Sequence, residues 1–578
     1  MKKYLIILLW LASISLNAAT YYVATTGSDA ASGDITHPWL TWSHAFANAH
    51  AGDFVYFRGG SYPNSGGAAG EGGFNSGTAG NVISFLNYPG ETPILDCSNK
   101  TVGVAGWFRA ISVWNVSYLY FKGLTIANAH QLLYGGVYGY TTGMDAYKAN
   151  HITFEQIKVH DVEGPCFTIN GCDDVHVINC DAWNANDLHA GTPGQNGVGF
   201  QGQNTVGDFG SGEYAKSNYF TGCRTWGFSD NGFAFTGVSH VEWKNCWALD
   251  GGLLAGDGCG FKLGTRTSGD TINPLSRLVE NCISAYNEQY GFATNNGSLG
   301  GGTGTPFNCH FYNNFAYHNG YKTKTDLSYG YGFVISPYNV NYLPPHEMYS
   351  NNIAYDNMRA PLDLGGGYVH THNSWDIVGL NVTNADFISL DTTGMRGARK
   401  TDGSLPDTYF GKPASASSLI DKGIDVGLPF SGTAPDLGYS EYEAQIPPVT
   451  GIVIITTTVF VGSTQATCGG DVTDDGGSAI TARGVCWGFT ANPTVMGNHT
   501  SNGTGSGVFA AYLTGLTPST TYHVRAYAVN EAGTGYGADV AFTTRSSGGL
   551  AGSYLFTGGK AVFVLDKTDN KQKIIMTK

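Results

Sequence analysis

Charge is scarce in this chain. Lys, Arg, Asp and Glu together make up 13% of its 578 residues, well below what a coiled coil or a helix-rich protein carries. Positive charge is the scarcer half: 30 Lys and Arg stand against 44 Asp and Glu, for a formal net charge of −14. Nucleic-acid binders are usually basic, so that class drops out. Long apolar runs are also missing. Beyond the N-terminus no stretch approaches the ~20 apolar residues that cross a bilayer. No Cys-x-x-Cys accompanies a suitable His, so no zinc site is assigned. What abounds is glycine, 83 residues, with aromatics at 13%. Short strands joined by tight turns suit that mixture, and the length suits two or more domains. If so acidic a chain acts on an acidic polymer, it needs a locally positive groove, because its overall field repels the substrate. Between Lys216 and Lys324, eight Lys/Arg meet seven Asp/Glu, so this segment is near neutral within an acidic protein.

The N-terminus carries Lys2 and Lys3, then the apolar run from Tyr4 to Leu11, then small residues at Ala18 and Ala19. A short positive start, a short apolar core and a small-residue exit describe a secretory signal peptide. Residues 1–19 are assigned to it, and the mature chain is expected to be exported. A short helical pattern around Ala45 to Ala49 is placed to cap the open strand edges of a solenoid.

From about Trp114 a repeat of irregular period sets in. One element is Asn or Gly followed by Cys or Asn: Asn179-Cys180, Gly222-Cys223, Asn245-Cys246, Asn281-Cys282, Asn313-Asn314 and Asn351-Asn352. Three copies carry a second asparagine six residues on, at Asn287, Asn319 and Asn357. A second element is Gly-Phe, at Phe200, Phe233, Phe261, Phe292 and Phe333. Spacings of a few tens of residues are those of stacked repeats. The fold expected is all-β: a right-handed parallel β-helix with an N-terminal capping helix, followed by a small β-sandwich. Nine of the eleven cysteines precede the C-terminal region and several share one repeat position. They are read as small hydrophobes packed inside the coil rather than as a disulfide framework.

Within the repeat, Gly258-Cys259-Gly260-Phe261-Lys262-Leu263-Gly264 has the alternation of a half-buried strand. With Phe261 and Leu263 inward, Lys262 points out among residues of little bulk. A lone strand lysine is most often an ordinary surface group, so its neighbours decide. Asp230 reads as a metal ligand, a substrate contact or a turn residue, and Asp257 as a turn residue. Trp226 and Trp247 read as sugar-stacking rings or as coil packing. Arg266, four residues beyond Lys262, reads as a cation beside the lysine that also holds a substrate carboxylate, or as a rim arginine.

These segments resemble a known family. Gly227-Phe228-Ser229-Asp230-Asn231-Gly232-Phe233-Ala234, Asn245-Cys246-Trp247-Ala248 and the Lys262 block follow one another in its order. His372-Asn373-Ser374-Trp375, Asn384-Ala385-Asp386-Phe387 and Leu419-Ile420-Asp421-Lys422-Gly423 continue it. The chain resembles the family 9 polysaccharide lyases, which cleave pectic polymers on a right-handed parallel β-helix, over roughly Thr20 to Glu443. The resemblance implies that Lys262 is the base that takes a proton from a uronate ring, and that the partner is an acidic plant-type polysaccharide. It also implies a calcium ion held by aspartates. Here the sequence departs: the positions are Asp230, Asn231, Ala234 and Val198. One carboxylate and one amide are a poor set for an ion that takes six to eight oxygens, so calcium at Asp230 and Asn231 is doubtful. Two rivals stay open: a glycoside hydrolase built on Asp230 and Asp257, and a binding protein that kept the fold and lost the chemistry.

Pro447-Pro448 marks a boundary. The helical solenoid is assigned to residues 20–445 and a sandwich to 446–545. Leu516 to Tyr527 resembles a fibronectin type III domain, with Tyr522 where such sandwiches place a corner tyrosine. Cys468 and Cys486 could pair in an exported domain. Residues 546–578 are a linker and a β tail, read as a sorting segment or a small appendage. A monomer with no membrane span is expected.

Overall fold

A computed structural model describes residues 18–563, apart from 67–69, 101–106, 135–136, 190–191, 205–216, 238–239, 264–275, 295–307, 322–329, 335–346, 360–361, 364–367, 443–452, 457–459, 476–478, 496, 531–532, 548–553 and 558–559. Most of the leader assigned to 1–19 lies outside the described residues, as does Arg266. The chain divides into two compact units, Met1–Tyr442 and Glu443–Lys578.

The first unit is a stack of coils that builds three long parallel sheets, a right-handed β-helix. Among the described residues twelve strands, from Thr20–Val23 to Tyr368–Thr371, form the first sheet; ten, from Gly60–Pro63 to Ile353–Tyr355, the second; nine, from Trp107–Trp114 to Leu362–Asp363, the third. Most coils pass through the three in turn, so each strand pairs with its equivalent one coil away, as Phe167–Asn170 does with Phe200–Asn204.

That register stacks like on like. In the third sheet Phe167, Phe200, Phe233, Phe261, Phe292 and Phe333 form one inward column, with neighbouring ring centroids 4.7–4.9 Å apart and nearly parallel planes. The spacing is the separation of hydrogen-bonded strands. The Gly-Phe element of the sequence is this column. The Asn-Cys and Asn-Asn element is the bend from the first sheet to the second. Its first residue has positive φ at Asn179, Gly222, Asn245, Asn281, Asn313 and Asn351, which Asn and Gly tolerate better than other residues. Its second residue points inward and ties one coil to the next. The Cys282 amide donates to Asn314 Oδ1 at 2.9 Å, Asn314 Nδ2 to Asn352 Oδ1 at 3.0 Å, and Asn352 Nδ2 to Asn373 Oδ1 at 2.9 Å. Asn287, Asn319 and Asn357 form a parallel ladder at the next bend. No disulfide joins any of the eleven cysteines, and all are buried.

The capping helix is Trp42–Asn48, begun by Thr41, whose hydroxyl accepts from the His44 amide. It buries Trp42, Ala45 and Phe46, and Phe46 meets Phe74 and Phe85 at 4.2 and 5.0 Å. At the other end, the chain after Thr371 runs back over the second sheet. Phe387, Met395, Phe410, Leu419 and Leu437 pack there on Trp247, Leu249, Ile283 and Phe315 as a second core.

Among the described residues the second unit has two antiparallel sheets that face each other, besides a hairpin in the tail. Gln465–Asp474 pairs with Gly507–Thr514 in one, and Ala482–Gly488 with Thr521–Asn530 in the other. Val485, Phe509, Leu513 and Val524 fill the space between. The corner residue Tyr522 accepts the Thr517 amide at 3.1 Å. Cys468 and Cys486 do not pair: they are separate buried thiols on different sheets, and the Cys486 thiol donates to the Pro493 carbonyl at 3.1 Å. In the tail, Tyr554–Thr557 and Lys560–Phe563 form a hairpin.

Candidate active site

The strand Cys259–Lys262 lies within the third sheet, between Asn231–Gly237 and Phe292–Ala293. Phe261 and Leu263 are wholly buried, while the Lys262 side chain keeps 24% of its surface. The alternation read from the sequence therefore sends the amine outward. Register sets its neighbours, because the residue after each stacked phenylalanine falls in one outer row. That row runs Asp145, Thr168, Gln201, Ala234, Lys262, Ala293, Val334. Both flanks of the lysine are thus methyl groups, and the row offers no second long side chain beside the amine.

Lys262 Nζ donates to the Asp257 carboxylate, which ends the loop leading into the strand. The Asp257 amide in turn donates to Asp230 Oδ1 at 2.9 Å, and the Gly258 amide to the Asp230 carbonyl at 2.6 Å. Asp230, Asp257 and Lys262 are therefore one cluster, which ties Asp257, read from the sequence as a turn residue or as one carboxylate of a hydrolase pair, to the lysine. Burial opposes the charge on Lys262, but the Cys259 sulfur and the Asp257 and Asp230 carboxylates outweigh it, and its pKa stands above the usual lysine value. Asp230 is 9% exposed, and burial, with Asp257 adding to it, pushes its carboxyl up to about 7.

The row continues as a polar track away from Lys262. Gln201 Oε1 accepts from Tyr140 Oη at 2.7 Å. Asp145, whose pKa burial raises, accepts from Thr168, from Trp114 Nε1 at 2.6 Å and from Arg109 at 2.8 Å. None of these was singled out in the sequence: Thr168 and Gln201 follow stacked phenylalanines by one place, whereas Asp145, Tyr140, Trp114 and Arg109 lie on the two strands beyond that column, which the Gly-Phe element does not mark.

Calcium was implied at Asp230 and Asn231, and the donors do not fit it. Ala234 and Val198 supply no side-chain oxygen. Asn231 Oδ1 is buried and has no hydrogen-bond partner among the described residues, but the Asp230 carboxyl beside it is pushed up to about 7 and the Asp257 carboxylate is paired with Lys262. Calcium takes six to eight oxygens, usually with several carboxylates.

The two tryptophans are not at this site. Trp247 is 3% exposed in the second core, beneath the returning chain. It cannot receive a sugar, which corrects its reading as a substrate contact. Trp226 is half-buried on the outer face of the second sheet, stacked on Trp183 with centroids 5.0 Å apart, and so faces away from the Lys262 row.

Comparison with known proteins agrees with this architecture. The family description "Pel9A-like, right handed beta helix region" matches residues 21–331. Pectate lyase L of Dickeya chrysanthemi is 30% identical over 436 residues, which is 73% of this chain and 90% of that protein. The crystal structure of pectate lyase Pel9A superposes with a TM-score of 0.56 at 26% identity, covering 74% of this chain and 98% of that one. A rhamnogalacturonan lyase superposes with a TM-score of 0.53 at 26% identity, covering 69% and 97%. With more than half of its length matched, the chain belongs to the Pel9A-like right-handed β-helix family.

Proposed function

We propose that this chain is an exported polysaccharide lyase that cleaves galacturonate-containing pectic polymers by β-elimination, with Lys262 as the base. The observation that carries the reading is the outward amine of Lys262, flanked in register by Ala234 and Ala293. Ala293 is buried, but the Ala234 methyl is partly exposed, so a pyranose ring can approach over it and bring its acidic carbon to the nitrogen. The names of the relatives, pectate lyase and rhamnogalacturonan lyase, support the substrate class.

The neutral amine takes the proton from the carbon beside the uronate carboxylate. The electron pair left behind forms a double bond to the next carbon, and the glycosidic oxygen there leaves with the bonding pair. Charge that builds on the carboxylate in the transition state needs a cation or donor close by, and Arg266 is the proposed partner for it. The amine must first be free of its own proton. At the ordinary lysine value fewer than one in ~1,000 is neutral at pH 7, and the Asp257 pair makes the neutral form rarer still, so the activity is expected to be alkaline. A hydrolase on Asp230 and Asp257 is less well supported, because the Asp257 carboxylate is committed to Lys262. We assign the leader 1–19 to export, 20–445 to catalysis and the sandwich at 446–545 to a spacer or docking role.

The test is a panel of homogalacturonan and rhamnogalacturonan substrates, followed by the ultraviolet absorbance of the unsaturated product. The wild-type chain is expected to release that product from at least one polymer. Lys262→Ala is expected to lose about a thousandfold in rate, within the usual range for a general base. Near-normal turnover by the variant removes Lys262 from the reaction, and saturated reducing ends without ultraviolet product assign a hydrolase.

A further inference from the structure

The second sheet carries a cleft of 450 Å³ that the chemistry at Lys262 does not use. One wall is the outer face of that sheet, and the other is the returning chain at 396–403. Asn87, Gly123, Gln156 and Asn179 mark four successive coils along it, and Arg224 a fifth. At one strand spacing per coil the cleft is about 19 Å long, the shape for a chain rather than for a single sugar.

Its charge is opposite to that of the protein. Lys158, Arg224, Arg396, Arg399 and Lys400 line it, against Glu91 and Asp181, in a chain of net charge −14. Glu91 is neutralised by Arg58 at 2.7 Å. Asp181 accepts from both Arg224 and Arg399 at 2.7 Å, and all three side chains are at most 8% exposed. Two guanidinium groups on one carboxylate leave a positive charge in excess, and at that burial water and salt screen it weakly. Among the described residues the Lys400 ammonium pairs with Asp407 alone, which is 81% exposed. Lys158 is exposed and meets no acidic partner among the described residues. Arg396 pairs with Asp250.

The remaining lining suits a hydroxylated ligand. Trp183 and Trp226 lie with their planes 2° apart, and His160 stacks on Trp183 at 4.2 Å. Because the rings cover one another's faces, they offer edges to the cleft, and neither indole N–H has a hydrogen-bond partner among the described residues. Gln156 and Asn179 add amides, and Thr125 a hydroxyl.

We propose that this cleft is a second, non-catalytic binding site for a polyuronate chain, on a different face of the coil from Lys262. A neutral glycan would leave the excess positive charge unmatched, whereas a uronate carboxylate would match it while its hydroxyls meet the indole and amide groups. The site would hold a long polymer to the enzyme between cleavages. The choice of polyuronate rests on the lyase reading given above; the anion-binding cleft does not.

The test uses the full chain carrying Lys262→Ala, so that the polymer stays intact, run by native electrophoresis through gels containing polygalacturonate. Retarded migration is expected, with affinity weakened about tenfold or more when Lys158→Glu and Lys400→Glu are added, because the two changes set like charges against the polyuronate. Unchanged thermal melting shows that the added changes leave the fold intact. Equal retardation with and without them, or no retardation at all, overturns the proposal. So does equal retardation by galactan, which is uncharged, or by single-stranded DNA. With Lys262 restored, the two charge reversals are expected to raise KM on long polymer and leave turnover of short oligogalacturonates unchanged. If no chain length yields unsaturated product while retardation still depends on Lys158 and Lys400, the lyase reading fails and the site stands.

Discussion

Lys262 and Asp257 form an ion pair across a step of five residues, between the end of a loop and the last residue of the strand that follows it. The contact joins the proposed base to the residue that sets its charge. It also couples the loop to Asp230, since the Asp257 amide donates to that carboxyl.

The pair fixes the sign of the pH dependence. Lys262 acts as a base only when neutral, and Asp257 stabilises its charged form, so the rate should rise as pH climbs toward the lysine's raised pKa. Asp257→Asn takes away that stabilisation and lowers the pKa. The acid limb of kcat/KM against pH is therefore expected to move to lower pH, even if the plateau falls. A limb that stays in place or moves up would separate Asp257 from the titration.

The donor set near Asp230 bears on metal dependence. With Ala234 and Val198 in place of oxygen donors, a chelator is expected to change the rate of product formation by no more than about twofold, because the remaining groups fall short of a calcium shell. Abolished activity that calcium alone restores would contradict this.

The asparagine ladder is a stability element. Asn314 accepts the Cys282 amide and donates to the Val279 carbonyl and to Asn352. Asn314→Ala leaves those buried groups unmatched and is expected to cost about 2–4 kcal/mol, read by chemical denaturation of the full chain. A change within experimental error would mean that the ladder only accompanies the stacking.

Trp247 separates packing from binding. Trp247→Ala is expected to cost about 3–5 kcal/mol through the cavity it opens, with KM for the polymer unchanged in the folded protein. A rise in KM without loss of stability would return this residue to the substrate.

The sequence by itself determined the stacking. Gly-Phe and Asn-Cys recur because each coil repeats one bend and one inward position, so Phe261, Cys282 and Asn314 could be placed from spacing alone. It also determined that Lys262 faces outward, since strand alternation needs only its neighbours Phe261 and Leu263. Tertiary structure decided what lies across coils. That Ala234 and Ala293 flank the amine depends on register between strands that loops of unequal length separate. That Trp247 is sealed depends on residues 387–437 folding back over the second sheet, and the Asp181 cluster is completed by Arg399, 218 residues away. Local periodicity carries no information about contacts at such separations, because a one-residue slip in any connecting loop would place other side chains there.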